Sequence, residues 1–359
     1  MTASDPYINL RDFLDQLPLG YPETESGVEL KILKKLFSED EAELAVCLSP
    51  VPEEAHQIAD RNNLPIEGLA ERLESMSKKG LIFRIRRQGK TLYNTAPFMI
   101  GLYEYSVKKM DRDLAELCRQ FYDEAYQDEM GASNVPGFKV MPVTENVDPD
   151  LNLYPFEKLK AEVRAARKIA VTDCVCRKEA RLIGHVCDYP LETCLSFGAA
   201  AEYYIENGMG REIKADEAIK ILQETDEAGL VHAGANTSHL ANICNCCPCC
   251  CASMKGMVTK GHDKQKYMNA LYEALVDAEA CTACEECSLR CPVKAITIDE
   301  TAVVDRDKCL GCGLCAGVCP SEAITLHLRP DRQEPFKSTF ELGLAVLKGK
   351  MKSTASKQV

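Results

Sequence analysis

The sequence predicts a multidomain α+β protein, and three observations lead to this fold class. The chain has 359 residues, 46% of them hydrophobic and 27% charged, which suits two or three packed domains. Its N-terminal part has helical periodicity and ends in a hairpin pattern, and its middle combines helices with cysteine-rich patches. Short β-type segments follow each cysteine run near the C-terminus. Assembling these parts gives an α+β protein.

Residues 1–105 are predicted to form a helical domain that ends in a β-hairpin. Ser38 and Glu41 have the spacing of a capping box at the start of the first of three helices, and the third helix stops at Gly80. A hairpin with glycine in its turn follows over 81–94. This order of three helices and a hairpin resembles a winged helix-turn-helix domain.

The winged-helix-like domain is predicted to dock onto protein, with nucleic-acid binding as the less favoured alternative. A third helix that reads DNA needs a cationic face against the phosphates. Here that helix presents Glu67, Glu71 and Glu74 among its basic residues, and only the hairpin is basic. The formal charge of −12 also biases the chain toward basic protein surfaces. A partner protein or a homo-oligomer contact is therefore expected.

The remaining segments follow from composition and periodicity. Residues 106–137 are predicted to be a helix and a linker with glycine and proline, and 138–262 to be a cysteine-rich metal-binding domain. A helix over 264–280 is expected to lead into a C-terminal cysteine-repeat domain, 263–335. The tail, 336–359, is predicted to be a basic amphipathic segment that packs on its own domain or docks a partner. Its apolar face comprises Phe340, Leu344, Leu347 and Met351.

The C-terminal domain contains two copies of the spacing C-x2-C-x2-C-x3-C-P. Every cysteine recurs 28 positions later, together with the proline and an Ala-Ile-Thr segment, so the domain is an internal duplication. Zinc sites usually pair two separated C-x2-C units. Each repeat here instead has a string of three closely spaced cysteines followed by a fourth, which favours iron–sulfur ligation. The copies supply Cys281, Cys284, Cys287 and Cys291, then Cys309, Cys312, Cys315 and Cys319.

This duplication resembles the dicluster ferredoxins of bacteria, which implies two 4Fe-4S clusters in a βαββαβ-like module. In those proteins the fourth cysteine of each run ligates the cluster of the other run. The resemblance therefore implies two ligand sets in this chain: Cys281, Cys284, Cys287 and Cys319, and Cys309, Cys312, Cys315 and Cys291.

Ten further cysteines in the middle region are predicted to bind metal, with at least one more iron–sulfur cluster among them. Six of these thiols fall within eight residues, and side chains of neighbouring residues point in different directions, so they cannot all pack in a core. Soft sulfur ligands favour iron–sulfur clusters, with zinc or free thiols as alternatives. Three arrangements remain open: one cluster with some cysteines that do not bind metal, two cubanes, or a less usual site. The ten are Cys174, Cys176, Cys187, Cys194, Cys244, Cys246, Cys247, Cys249, Cys250 and Cys251.

The whole arrangement is similar to multi-cluster ferredoxin-type proteins of anaerobic bacteria. The resemblance implies an electron-transfer protein, or oxidoreductase subunit, that exchanges single electrons with a redox partner. A redox-sensing transcription regulator and an oxidoreductase with a substrate-binding cluster are the alternatives. The sequence contains neither G-x-G-x-x-G after a strand nor a P-loop, and no catalytic residue is predicted. Many cysteines without a signal-peptide pattern predict the reducing cytoplasm, and no apolar run reaches membrane-spanning length.

Overall fold

The structure is a computed structural model that describes residues 5–143, 147 and 155–356. Its first part is helical and ends in an antiparallel hairpin, in the order that the sequence predicts. The capping box is present, since the Ser38 hydroxyl accepts from the Glu41 N–H at 3.3 Å and the Glu41 carboxylate accepts from the Ser38 N–H at 3.0 Å. These elements are α1 (Pro6–Asp15), α2 (Val28–Leu36), α3 (Glu39–Val46), α4 (Ala55–Asn62), α5 (Leu69–Lys78), β1 (Ile82–Arg87) and β2 (Lys90–Thr95).

An aromatic core lies behind the hairpin, where the helix predicted for the first part of 106–137 is interrupted. The Asp111 carboxylate caps the longer helical piece by accepting from the Leu114 N–H at 2.8 Å, and a π-helical turn over Tyr122–Tyr126 continues it. The Phe98 ring packs against its neighbours at centroid distances of 4.9 to 5.7 Å. The helical pieces are α6 (Tyr103–Tyr105), α7 (Arg112–Phe121) and α8 (Gln127–Met130).

Seven strands of the described residues form the central sheet, in the order β6-β4-β5-β8-β7-β3-β9. Adjacent strands are antiparallel except β3 and β9, which are parallel. The elements are β3 (Phe138–Val140), α9 (Pro155–Ala165), β4 (Ile169–Asp173), α10 (Val175–Leu182), β5 (Glu192–Phe197), α11 (Ala199–Glu206), β6 (Arg211–Glu212), α12 (Ala215–Glu227), β7 (Val231–Ala235), β8 (Asn242–Cys246), α13 (Ala252–Thr259), α14 (Lys264–Tyr267) and β9 (Met268–Asn269).

The two faces of the central sheet pack against different parts of the protein, because side chains alternate between the faces along each strand. One face packs Val171, Leu195 and Ile243 against α9 and α12. The opposite face, with Cys194 and Cys246, packs toward the aromatic N-terminal core. The cysteine-bearing face is therefore closed off by the N-terminal part of the chain.

The C-terminal elements follow the order βαββαβ and then a final helix. The outer strands β10 and β13 pair antiparallel, and so do β11 and β12. Among the described residues, no helix combines the length and apolar character needed to cross a lipid bilayer. The elements are β10 (Tyr272–Val276), α15 (Glu286–Arg290), β11 (Ile296–Ile298), β12 (Ala302–Val304), α16 (Leu314–Gly317), β13 (Ile324–Leu328) and α17 (Thr339–Ser356).

Two further local predictions differ from the structure. The helix expected over 264–280 is wrong beyond α14, because the backbone of β10 hydrogen-bonds to β13, a partner that local sequence cannot reveal. The tail is helical, but its buried side chains are Leu342 and Val346, whereas Phe340 is 61% exposed and Met351 is 74% exposed. Packing thus selects a different face of α17 from the one expected.

The N-terminal hairpin is fixed to the central domain through α11. The Tyr203 hydroxyl donates to the carbonyl oxygens of Ser77 and Ile82 at 3.1 and 2.8 Å. The buried Arg84 pairs with Glu74 at 2.6 Å and with Glu206 at 2.5 Å. Part of the positive charge of the hairpin is therefore neutralised by ion pairs within the protein.

Candidate metal centres

Two small cavities in the C-terminal domain are each lined by four cysteines drawn from both repeats. In each cavity, three cysteines of one repeat meet the fourth cysteine of the other repeat. This is the arrangement that the ferredoxin resemblance implies. The first cavity is lined by Cys281, Cys284, Cys287 and Cys319, and the second by Cys309, Cys312, Cys315 and Cys291.

The repeated loops place their cysteines with the same left-handed residues. Ala283 and Glu285 of the first loop have φ of 53° and 69°, and the equivalent Gly311 and Gly313 have φ of 64° and 84°. Such residues turn successive N–H groups toward one side, which suits an anionic ligand. A Cβ added to Gly311 would lie 2.0 Å from the carbonyl oxygen of Tyr272, so only glycine fits there.

Backbone N–H groups point at three of these sulfurs. Ala302 donates to the sulfur of Cys281 at 3.4 Å, and Ala295 donates to that of Cys291 at 3.2 Å. The Gly311 N–H lies 3.4 Å from the sulfur of Cys309. Hydrogen bonds to thiolate ligands are one of the means by which proteins set cluster reduction potentials.

Burial affects the protonation of these thiols. It raises the pKa of Cys291 and raises that of Cys315 to about 12. The thiols are therefore protonated in the metal-free protein at neutral pH. Binding of a metal centre would release these protons, so assembly should be favoured at higher pH.

The ten middle cysteines separate into two sites. In the first, which we call the six-cysteine ring, each thiol contacts two others, so that the contacts close into a ring. The second, which we call the four-cysteine site, is compact, with all four sulfurs within 4.8 Å of one another. The ring runs Cys174, Cys176, Cys251, Cys246, Cys244 and Cys194, and the four-cysteine site comprises Cys187, Cys247, Cys249 and Cys250.

The ring is built on the face of the central sheet that meets the N-terminal core. Cys244 and Cys246 are alternate residues of β8 and therefore share a face. Cys194 lies on the adjacent strand β5. Cys174 and Cys251 are the N-cap residues of α10 and α13, so both helices begin at the ring. Helix N-termini carry partial positive charge, which favours a thiolate-bound anionic centre.

Charged and ionisable groups surround the ring. Burial raises the pKa of Glu104 to about 8, and its carboxylate accepts from the Gly101 N–H at 2.8 Å. Arg177 has no exposed surface and donates to the carbonyl oxygen of Asn245 at 2.8 Å. Burial opposes its charge, but the thiolates of Cys174 and Cys194 raise the pKa of Arg177 overall. A permanent buried cation therefore lies beside the ring.

The four-cysteine site lies directly next to the ring. Cys246 of the ring precedes Cys247 of the site, and Cys251 of the ring follows Cys250 of the site. The Cys249 sulfur lies 3.8 Å from that of Cys187 and 3.6 Å from that of Cys250. The hydrogen bond from Cys250 lowers the pKa of Cys247 to about 5.

The loop that carries Cys187 is held in place by Arg181. Its guanidinium donates to the carbonyl oxygens of Cys187 and Tyr189 at 3.0 and 2.9 Å. Leu230, with none of its surface exposed, packs in one apolar cluster with Cys187, Cys247 and Cys250. The four-cysteine site is therefore supported by α10 on one side and by the start of β7 on the other.

Comparison with known proteins supports the iron–sulfur prediction. A family model described as a 4Fe-4S dicluster domain matches residues 274–326, which include all eight cysteines of the duplication. A search of curated proteins found no match for the chain. The dicluster match supports more than one iron–sulfur cluster, as predicted, and the compact group of four cysteines adds a further candidate metal site. The chain thus carries a 4Fe-4S dicluster domain, and an iron–sulfur electron-transfer role follows from it.

The sequence singles out the ten middle cysteines as candidate metal ligands but does not show their division into two groups. It also missed Glu104, which comes from a different part of the chain and has no local signal. Arg177 follows Cys176 directly in the sequence, and its side chain is buried. His232, which lies between the two cysteine-rich patches in the sequence, is buried, and its ring hydrogen-bonds to the Asn245 side chain.

Proposed function

We propose that this protein relays single electrons to or from a partner oxidoreductase through two C-terminal 4Fe-4S clusters and a further centre in the middle domain. The observation that carries the proposal is the pair of cavities, each lined by four cysteines from both repeats within the matched dicluster domain. We assign those two sets as the cubane ligands. Cubanes exchange an electron with little ligand movement, which suits a relay.

The order of the centres gives the relay a path. The first set includes Cys284, which is exposed, so its cluster would be the one reached by a partner. Cys287 of that set lies near Cys315 of the second set. Leu310 and Leu314, which flank the second set, belong to the same packed core as Cys246 and Cys251 of the ring. Electrons would pass along this path, in either direction, between the surface cluster, the second cluster and the ring.

The partner surface would be basic with an apolar centre. Glu285 and Glu286 are exposed beside Cys284, and Leu289 is 79% exposed close by. Complementary charge steers association and fixes orientation, while an exposed leucine supplies contact area. Glu286→Lys should therefore slow reduction by a basic partner at low salt and have little effect at high salt.

Anaerobic iron and sulfide analysis with EPR spectroscopy tests the relay. The purified chain should hold about eight irons in the C-terminal domain plus those of the middle domain, and its reduced clusters should reoxidise reversibly. Cys284→Ser should reduce the iron and sulfide content, whereas Cys47→Ser, far from the cavities, should not. A colourless protein, or zinc at the C-terminal sites, would reject the proposal. Substrate turnover by the isolated chain would favour the enzyme alternative.

We further propose that the winged-helix-like domain serves protein contacts instead of reading DNA. Arg84 and Arg86 both pair with Glu74 and Glu206, so much of the hairpin charge is neutralised within the chain. Phosphate binding would have to break these ion pairs. Sequence-specific retention of promoter DNA that changes with cluster oxidation would instead support the redox-sensing regulator.

A further inference from the structure

We propose that the four-cysteine site, Cys187, Cys247, Cys249 and Cys250, binds a single tetrahedrally coordinated metal ion, Fe²⁺ or Zn²⁺, and that any polynuclear cluster of the middle domain belongs to the six-cysteine ring. The single-ion site does not depend on whether the chain transfers electrons.

The distances between the sulfurs distinguish one ion from a cubane. With metal–sulfur bonds of about 2.3 Å, tetrahedral geometry places the four sulfurs roughly 3.8 Å apart. In a 4Fe-4S cubane each thiolate lies outside its own corner iron, which separates the four sulfurs by roughly 6 Å. The observed separations of 3.8 Å from Cys249 to Cys187 and 3.6 Å from Cys249 to Cys250 match one ion. All four sulfurs lie within 4.8 Å of one another, which is too close for a cubane.

The same chain provides an internal comparison. Within the part of the chain that the structure describes, the four-cysteine site is the set of thiols that meets the mutual limit of 4.8 Å. The two C-terminal sets, which lie in the matched dicluster domain, surround cavities instead and do not form such a compact group. The two C-terminal sets therefore differ in sulfur spacing from the four-cysteine site of the same protein.

The four-cysteine site has the burial and support of a built metal site. Cys250 is fully buried and Cys247 is 1% exposed, while Cys249 is half-buried and offers an entry path. Arg181 fixes the loop that brings in Cys187. A divalent ion with four thiolates has a net charge of about −2, and the buried Arg177 guanidinium beside Cys247 offsets part of it.

The assignment leaves the ring as the larger site. The ring joins six thiols in a closed chain of contacts, which is more sulfur ligands than one tetrahedral ion can use. Because Cys246 and Cys247 are adjacent, their side chains diverge to the two sites. The Cys-Asn-Cys-Cys-Pro-Cys-Cys-Cys segment can therefore supply both sites from one short stretch.

The test compares serine variants of the two sites in the full-length protein, prepared anaerobically. Cys187→Ser should lose one metal ion per chain with no loss of acid-labile sulfide. Cys194→Ser, the matched variant in the ring, should lose iron and sulfide together. Elemental analysis of the ion lost from Cys187→Ser distinguishes iron from zinc. Loss of about four irons with an equal amount of sulfide from Cys187→Ser would overturn the single-ion site.

A measurement on the unmutated protein covers the case in which a variant fails to fold. The wild-type chain should contain either one equivalent of zinc or, after ⁵⁷Fe enrichment, a Mössbauer signal of one mononuclear high-spin iron apart from the cluster iron. X-ray absorption at the zinc edge should then give four sulfurs at about 2.3 Å. Absence of both zinc and mononuclear iron from a fully loaded sample would reject the proposal.

Discussion

Replacing Gly311 with alanine is expected to disrupt the second C-terminal cysteine loop without removing a ligand. The left-handed conformation at φ 64° costs a non-glycine residue about 1–2 kcal/mol. The added Cβ would lie 2.0 Å from the Tyr272 carbonyl oxygen, so β10 would have to move by about 1 Å. Overpacking of this kind costs about 1–3 kcal/mol. The variant should thus lose about 2–5 kcal/mol of stability, a large share of a typical total of about 5–15 kcal/mol.

The assay is an anaerobic guanidinium titration in which cluster absorbance is followed. Gly311→Ala should lower the bleaching midpoint and reduce iron occupancy of the second loop. Ala283→Gly is the matched control, because Ala283 occupies the equivalent position of the first loop with φ of 53°. Glycine adopts that conformation without strain, so the control should keep or raise the midpoint. A midpoint for Gly311→Ala equal to that of the wild type would refute the close approach of the loop to β10.

Arg177→Met removes a fully buried cation beside the thiolates, which should cost roughly 3–5 kcal/mol of folding stability. Arg177→Lys keeps the positive charge and should retain more of the middle-domain iron. Equal iron loss in the two variants would contradict a role for the charge. Burial raises the pKa of Glu179 above its ordinary 4.5, so the native state keeps a proton that the unfolded state has released. Stability should therefore fall as pH rises from 4.5 toward the raised pKa, and Glu179→Gln should flatten that slope in pH-dependent unfolding. Arg84→Met leaves Glu74 and Glu206 without their buried partner and should speed hydrogen exchange of β1, whereas the exposed Arg87→Met should not.

Local features could be predicted because their causes are local. The capping box at Ser38 depends on residues three positions apart, and the hairpin turn needs only glycine and flanking β-type residues. The tail helix followed from its periodicity. Its buried face did not, because that depends on what packs against Leu342 and Val346.

Predictions that required distant partners failed or stayed open. Residues of β10 have no local signal that excludes a helix, and only pairing with β13 makes them a strand. Likewise, the hairpin is basic in sequence, but Glu206 of α11 neutralises part of it in the folded chain.

By itself, the sequence determined that this chain carries a duplicated cysteine pattern suited to two 4Fe-4S clusters, because ligand spacing within one tight loop is a local property. Tertiary structure alone decided how the ten middle cysteines divide. Adjacent residues such as Cys246 and Cys247 point to different sites, and Cys187 and Cys194 reach those sites only through the pairing of β5 with β8 and the loop before it. Metal nuclearity depends on distances between sulfurs, and those distances exist only after the sheet has folded.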